Sequence, residues 1–357
     1  MQPRVFATRL RVLRTCLRVF PMRLRVFPMR LRVYITQPIA RSALERLRSV
    51  AEVDGNPDAV HIMTKDELLA AVREHDILFC LLQDRVDADV ISANPKLRAI
   101  ASMKITPGDI DVAAATARRI PVTVIPPIVT EATADLHFGL LLAVARRVVE
   151  GDRLLRAGVF PGGQSMHLEG AFVWGKTIGL VGGGGRIGRA VARRARGFSM
   201  RILYWGPRRM SEREERELGL DYVMLDRLLG ESDFVSIHAP GKPETHHLIG
   251  ARELALMKTT AFLVNTARGP IVDEEALVRA LADRRIAGAG LDVYEHEPLV
   301  ESALLTMPNV VLTPHLGSAV AELREAMAHV VVDNIVAVLE GRTPPNCCNP
   351  EVYAAPP

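Results

Sequence analysis

Short apolar runs that alternate with helical patterns predict an α/β protein of parallel sheets. Three observations carry that prediction. The runs RLRVYITQPI (30–39), HDILFCLL (75–82) and LRAIASMKI (97–105) are separated by helical stretches such as ARSALERLRS and KDELLAAVREH. A strand, glycine turn and helix follow one another in KTIGLVGGGGRIGRAVARR (176–194). The length of 357 residues and a hydrophobic content of 48% suffice for two domains with a core each. The expected architecture is two Rossmann-like domains with a cleft between them. A discontinuous first domain takes 29–129 and 318–345, and the second takes 130–317.

Residues 1–28 come first and hold seven arginines and no acid, so the rest of the chain carries +4 − 7 = −3. VFPMRLR at 19–25 is repeated at 26–32. An Arg-rich stretch of this kind suits a transit peptide or a nucleic-acid arm. The preferred reading is a misassigned start, with translation from Met22 or Met29, because MRLRVYITQPI opens directly into the first strand. After the first domain, TEATADLHFGLLLAVARRVVEGDRLL reads as one long helix with Thr130 as N-cap and Glu131 in its first turn. Strands of the second domain are expected at TIGLVG, MRILYW, FVSIHA, AFLVNTA and AGLDV. ELREAMAHVVVDNIVAVLEG is the helix that returns the chain to the first domain, and 346–357 read as a peripheral tail.

Within the glycine-rich unit, Gly183, Gly185 and Gly188 satisfy GxGxxG, which lets backbone approach a pyrophosphate at a helix N-terminus. Four consecutive glycines, Gly182 to Gly185, leave the first position of the motif open. The next strand, MRILYW, ends in Gly206, Pro207, Arg208 and Arg209. An NAD site usually places a carboxylate there for the ribose 2′-hydroxyl. Two guanidiniums in its stead predict NADP (NADPH), with NAD possible; the alternative is a solvated basic turn before the charged helix SEREERE.

Three later segments each set a functional side chain beside a Pro or Gly: NTARGP with Arg268, DVYEHEP with Glu297, and TPHLGS with His315. A guanidinium can clamp a carboxylate with two parallel hydrogen bonds. An imidazolium can protonate a carbonyl oxygen, and a neighbouring carboxylate favours its charged form. Beside a hydride donor, that set suits the reduction of a 2-oxo acid. Taken alone, the same residues suit a surface ion pair and a loop histidine.

From about Arg32 to Arg342 the chain resembles the D-isomer-specific 2-hydroxyacid dehydrogenases, most closely their glyoxylate/hydroxypyruvate reductase branch. The matching segments are AATARRIPV, TEATADLHFGLLLAVARR, GGGRIGRAVA, FVSIHAP, LVNTARGPIVDEEAL, AGLDVYEHEP and NVVLTPHLGS. The resemblance implies that Arg268, Glu297 and His315 are catalytic, with Glu295 a solvent-facing rival to Glu297. It implies cofactor contacts at Thr133, Arg186, Ile187, His238, Ala239, Pro240, Thr266, Ala267 and Asp292, although Thr133 and Asp292 also suit plain caps. It implies a homodimer in which the helix from Thr130 takes part. The substrate loop departs from the family pattern. SMKITPGDID places Thr106 and Pro107 where the family has Gly and its neighbour, and Gly108 where it has Asp. Lys104, Ile105 and Thr106 are the substrate-binding candidates there, Lys104 for its charge.

Other classes are set aside on the same sequence. No apolar run reaches the roughly 18 residues of a membrane span; LHFGLLLAVA is short and suits a buried helix. Cys16, Cys80, Cys347 and Cys348 show no metal spacing, and a reducing cytoplasm is the expected setting. His246-His247 reads as a loop feature and no metal is expected. Neither nucleic acid nor membrane is an expected partner; a small 2-oxo acid is. Phosphoglycerate and phosphite dehydrogenases remain alternatives, as does a cofactor-sensing corepressor of the same fold. Formate enzymes place Gln where Glu297 stands.

Overall fold

Parallel strands form two separate sheets, and every functional candidate outside the substrate loop sits on or beside the second. The computed structural model describes residues 30–354, so the leader expected at 1–28 lies outside the described residues. In the first domain β1 (Arg32–Ile35), β2 (Glu52–Gly55), β3 (Ile77–Cys80), β4 (Ala99–Ser102) and β5 (Val122–Thr123) pair in the order β2-β1-β3-β4-β5. All of these pairings are parallel. In the second, β6 (Thr177–Val181), β7 (Arg201–Trp205), β8 (Leu220–Tyr222), β9 (Phe234–Ile237), β10 (Phe262–Asn265), β11 (Gly288–Leu291) and β12 (Val310–Leu312) pair in the order β12-β11-β10-β9-β6-β7-β8. These are parallel too.

Central strands such as ILFC, FVSI, FLVN and GAGL are buried along their whole length, because helices cover both faces of each sheet. The strand order reverses between β6 and β9, which opens a crevice at the carboxyl ends of the strands. Loops after β6, β9, β10, β11 and β12 all start there.

The long helix expected from Thr130 is broken in two. It runs over Thr130–Ala145, and Arg147 turns left-handed with φ 53° before a second helix, Val148–Arg156. The Arg147 fork closes on Glu150 at 2.7 and 2.8 Å, which holds the break. Val129 rather than Thr130 is the N-cap, and Thr130 donates its hydroxyl to the Pro127 carbonyl. Ala134, Phe138, Leu141 and Val144 bury the first of these helices against the second sheet. The helix Ala321–Leu339 instead buries Met327, Val331 and Ile335 among Val33, Phe79 and Ala101 of the first domain. The first sheet and this helix therefore share one core, although they lie far apart in sequence.

The tail is not peripheral over 346–349. Val124 N–H donates to Asn346 O, Cys348 N–H donates to Val122 O, and Cys347 bridges Thr123 in antiparallel sense. The Asn349 side chain accepts from Val122 N–H at 2.8 Å and donates to Ile120 O and Thr116 Oγ1 at 2.9 Å. This segment satisfies the open edge of β5, whose backbone groups would otherwise lack partners. No helix among the described residues is long and apolar enough to cross a membrane.

Candidate active site

The glycine turn settles into one register. Gly183 lies so close to β7 that a Cβ would come within 2.7 Å of Tyr204 Cβ, and a Cβ on Gly188 would come within 2.7 Å of Gly183 Cα. Gly183 is thus the first glycine of the motif, where strand and helix touch. Gly185 is the exposed N-cap of the helix Arg186–Gly197, whose first-turn amides, Arg186 and Ile187 among them, have no helical acceptor. The extra residue is Gly182, with φ 86°, where a side chain would collide with the backbone of His238 and Ala239.

After β7 the two arginines take different parts. The Arg209 fork grips Glu215 through two bonds of 2.8 Å and lies over the Tyr222 ring. Glu215 also accepts from Tyr204 Oη at 2.6 Å; burial, then this hydrogen bond, pushes the phenol up to about 12. Arg209 is therefore a clamp on the turn rather than a second free cation. Arg208 is exposed and makes no hydrogen bond or ion pair among the described residues. Gly206 follows the strand, and the next residues, Pro207 to Met210, include no carboxylate.

The loop after β9 joins the glycine turn to the arginine. Gly182 abuts Ala239, and Gly241 lies against the Arg268 side chain. Pro240 O accepts from Thr245 Oγ1 at 2.6 Å. Beneath, Ser236 Oγ lies 2.5 Å from His238 Nε2 and 3.0 Å from His137 Nε2, and the Nδ1 atom of each ring is buried without a partner. Burial holds His238 down at about 3 and His137 well below the usual range, so both rings are neutral.

Arg268 follows β10. Asn265 shapes its loop by accepting from Ala267 N–H and donating to Arg268 O, both at 3.0 Å. Gly269 lets the loop lie directly on the next segment, since a Cβ there would sit 1.9 Å from the Tyr294 carbonyl. Thr266 is buried, and its hydroxyl has no partner.

On that next segment Glu297 accepts from Tyr294 N–H at 3.1 Å and from His315 Nδ1 at 2.8 Å. Burial pushes the Glu297 carboxyl upward, but the His315 hydrogen bond and charge, with the Tyr294 amide and Gln83 of the first domain, hold it below the usual range. Because Nδ1 donates to Glu297, Nε2 is the ring nitrogen left to serve a substrate. Glu295 turns the other way. It lies 2.6 Å from His247 Nε2 and its side chain is only 13% exposed, so it is not solvent-facing.

His315 adopts a left-handed backbone, φ 54°, uncommon for a residue with a Cβ. Asp292 holds it there. Its carbonyl accepts from His315 N–H at 2.9 Å, and its buried carboxylate accepts from Thr313 Oγ1, Leu316 N–H and Gly317 N–H at 2.6 to 2.9 Å. Thr133 Oγ1 reaches Gly317 O at 3.1 Å from the helix behind. Burial raises the Asp292 carboxyl against those hydrogen bonds. Asp292 thus caps the loop, the part its sequence position also suited, whereas Asn265, inside NTARGP, was not singled out from sequence.

Lys104 is not free to meet a substrate. It is buried, and its ammonium lies 3.3 Å from Asp84 O and 3.2 Å from Asp109 Oδ2. Ile105 is half-buried and Thr106 exposed at the loop surface.

These residues fit a nicotinamide dinucleotide. A cradle without side chains leads to free helix amides, and two buried polar atoms, Thr266 Oγ1 and His238 Nδ1, await partners beside it. Residues 138–317 match the model of the D-isomer specific 2-hydroxyacid dehydrogenase NAD binding domain. The chain belongs to the D-isomer specific 2-hydroxyacid dehydrogenases. It is 44% identical over 330 residues to a glyoxylate reductase of Thermococcus litoralis, covering 91% of this chain and 98% of that one. The crystal structure of TT0316 protein from Thermus thermophilus superposes with a TM-score of 0.82 at 44% identity, over 89% of this chain and all of that one. An NADPH-dependent glyoxylate/hydroxypyruvate reductase from Sinorhizobium meliloti superposes with a TM-score of 0.73 at 32% identity, over 90% and 98% of the two chains. The dehydrogenase uses a nicotinamide dinucleotide, and its two parallel sheets are those of the family.

Proposed function

We propose that this dehydrogenase reduces a small 2-oxo acid, glyoxylate or hydroxypyruvate, to glycolate or D-glycerate, with NADPH preferred over NADH. The chemistry rests on the pair His315 Nδ1 to Glu297 Oε2, 2.8 Å apart beside the Arg268 loop. A bound nicotinamide dinucleotide supplies hydride for the carbonyl carbon. Gly183, Gly185, Arg186, Ile187 and Gly188 would hold its pyrophosphate. Thr133, His238, Ala239, Pro240, Thr266, Ala267 and Asp292 would frame the nicotinamide half, and Gly206 and Arg208 the adenosine end.

Arg268 clamps the substrate carboxylate with its fork. His315 holds the proton at Nε2 for the carbonyl oxygen, and Glu297 fixes the ring through Nδ1. Ile105 and Thr106 line the substrate loop, and Lys104, engaged by Asp109, braces it from beneath. Closure of the cleft excludes water and strengthens the Arg268 contact. The glyoxylate branch is supported by the relatives' names, and NADPH by the exposed Arg208 with no carboxylate after β7. Comparing kcat/KM for both oxo acids with each cofactor tests the reading. An advantage for NADPH of roughly tenfold or more is expected, equal to about 1.4 kcal/mol; a clear NADH preference contradicts it.

We also propose a homodimer. Leu155, Phe160, Met166, Phe172 and Trp174 stand exposed along 155–174, with Phe160 and Phe172 more than three-quarters uncovered. Leu155 and Phe160 line a hollow of about 270 Å³ with Gly151 and Leu168. A second copy of the chain would bury that surface. Light scattering should give twice 39.2 kDa, and a monomer at micromolar concentration contradicts the dimer.

A further inference from the structure

Two segments far apart in sequence bring three metal-binding side chains together outside the hydride-transfer cleft. Nitrogen atoms of His246 and His247 and an oxygen of Glu295 lie within 4.8 Å of one another. The two rings stack, with centroids 3.9 Å apart and planes 27° from parallel. His247 takes a left-handed backbone, φ 51°, and its N–H donates to Pro270 O at 2.8 Å. Glu295 is fixed from behind: its Oε2 accepts from Glu274 N–H at 3.2 Å, while its own N–H donates to Glu274 at 2.9 Å. Oε1 is left to face His247 at 2.6 Å.

Two imidazoles and one carboxylate, the carboxylate oriented by its own hydrogen bonds, are the donor set of a zinc-class ion with an open fourth position. We propose that His246, His247 and Glu295 bind a divalent transition-metal ion of the zinc class. The exposed His246 ring turns out of its stack on His247 to direct a nitrogen at the ion, which takes the place of the His247–Glu295 hydrogen bond and completes its shell with water. It ties the loop before Ile249 to the segment that ends in Glu297. Its role is to brace that segment, since none of its ligands belongs to the trio Arg268, Glu297 and His315.

Untagged full-length protein, stripped with chelator, is titrated with Co²⁺ while the visible bands of a four-coordinate ion are recorded, with Zn²⁺ then added as competitor. About one ion per chain is expected, displaced by Zn²⁺. His247→Ala and Glu295→Gln should each weaken binding by at least roughly tenfold, while His296→Ala, next to the cluster but outside it, should not. Glu295 also caps Glu274, so His246→Ala, which removes only an exposed ring, serves as the variant whose fold is safe. A saturating ion should raise the melting temperature of the wild type and leave that of His246→Ala unchanged. Co²⁺ uptake that is equal in the wild type and His246→Ala, or no uptake by either, would overturn the site.

Discussion

The carbonyl and carboxylate of Asp292 hold the loop on which His315 stands, accepting from His315 N–H at 2.9 Å and from the amides of Leu316 and Gly317. The histidine is therefore placed twice, its ring by Glu297 and its backbone by Asp292.

That arrangement makes Asp292 a positioning residue even without cofactor. Asp292→Ala leaves the Thr313 hydroxyl and two amides without acceptors in a buried site, at a cost of roughly 2–5 kcal/mol. Urea unfolding of the cofactor-free chain measures this directly. Asp292→Asn, which keeps one acceptor oxygen, should lose less. An unchanged midpoint for Asp292→Ala would show that the carboxylate does not hold the loop.

Arg208 and Arg209 should separate cleanly. Arg208→Ala should raise KM for NADPH with little change for NADH and no change in stability. Arg209→Ala strips Glu215 of its partner beneath Tyr204, and should lower the melting temperature and weaken both cofactors. Steady-state kinetics with each cofactor, together with thermal melts, distinguish the two. Identical behaviour of both variants contradicts the division.

The tail predicts a stability effect far from the cleft. Asn349→Ala removes the acceptor of Val122 N–H and the donor to Ile120 O and Thr116 Oγ1. A loss of roughly 2–4 kcal/mol in urea unfolding is expected, with KM for substrate unchanged. A drop below about 0.5 kcal/mol would return the segment to the periphery.

Acid should destabilise the protein through His137 and His238. Both are neutral in the fold, His238 down at about 3, whereas an unfolded histidine takes up a proton near 6.5. With folded values depressed, their contribution is fully present above about pH 6.5 and is lost as the pH falls toward 3, by up to about 1.4 kcal/mol per pH unit for each ring. Unfolding free energies should be flat from about pH 7.5 to about pH 6.5 and should fall with that slope below about pH 6, and His137→Gln should remove about half of the fall. A flat profile contradicts the burial of these rings.

The central strands were legible because burial on both faces writes them as unbroken apolar runs. The strands that could not be read, β2, β5, β8 and β12, are the four sheet edges, each of two to four residues. EVDG at β2 is mostly exposed and carries no periodic signal; it is a strand because β1 pairs with it. The break at Arg147 was hidden for a similar reason, since ARRVVEG has good helical propensity and only the Glu150 partner and the packing of each half stop the helix. In the site, Arg268, Glu297 and His315 stood out by residue type beside a Pro or Gly. What Arg209 and Lys104 do depends on partners brought in by the fold, and no local pattern encodes them.

The most direct measurement is single-turnover reduction of glyoxylate under saturating NADPH by the wild type, His315→Ala and Glu297→Gln. His315→Ala should lose at least roughly 10²-fold in rate, the scale of a missing acid catalyst, and Glu297→Gln should lose a smaller factor and shift the pH profile. Turnover by His315→Ala within a few-fold of the wild type would contradict the assignment of His315 as the proton donor.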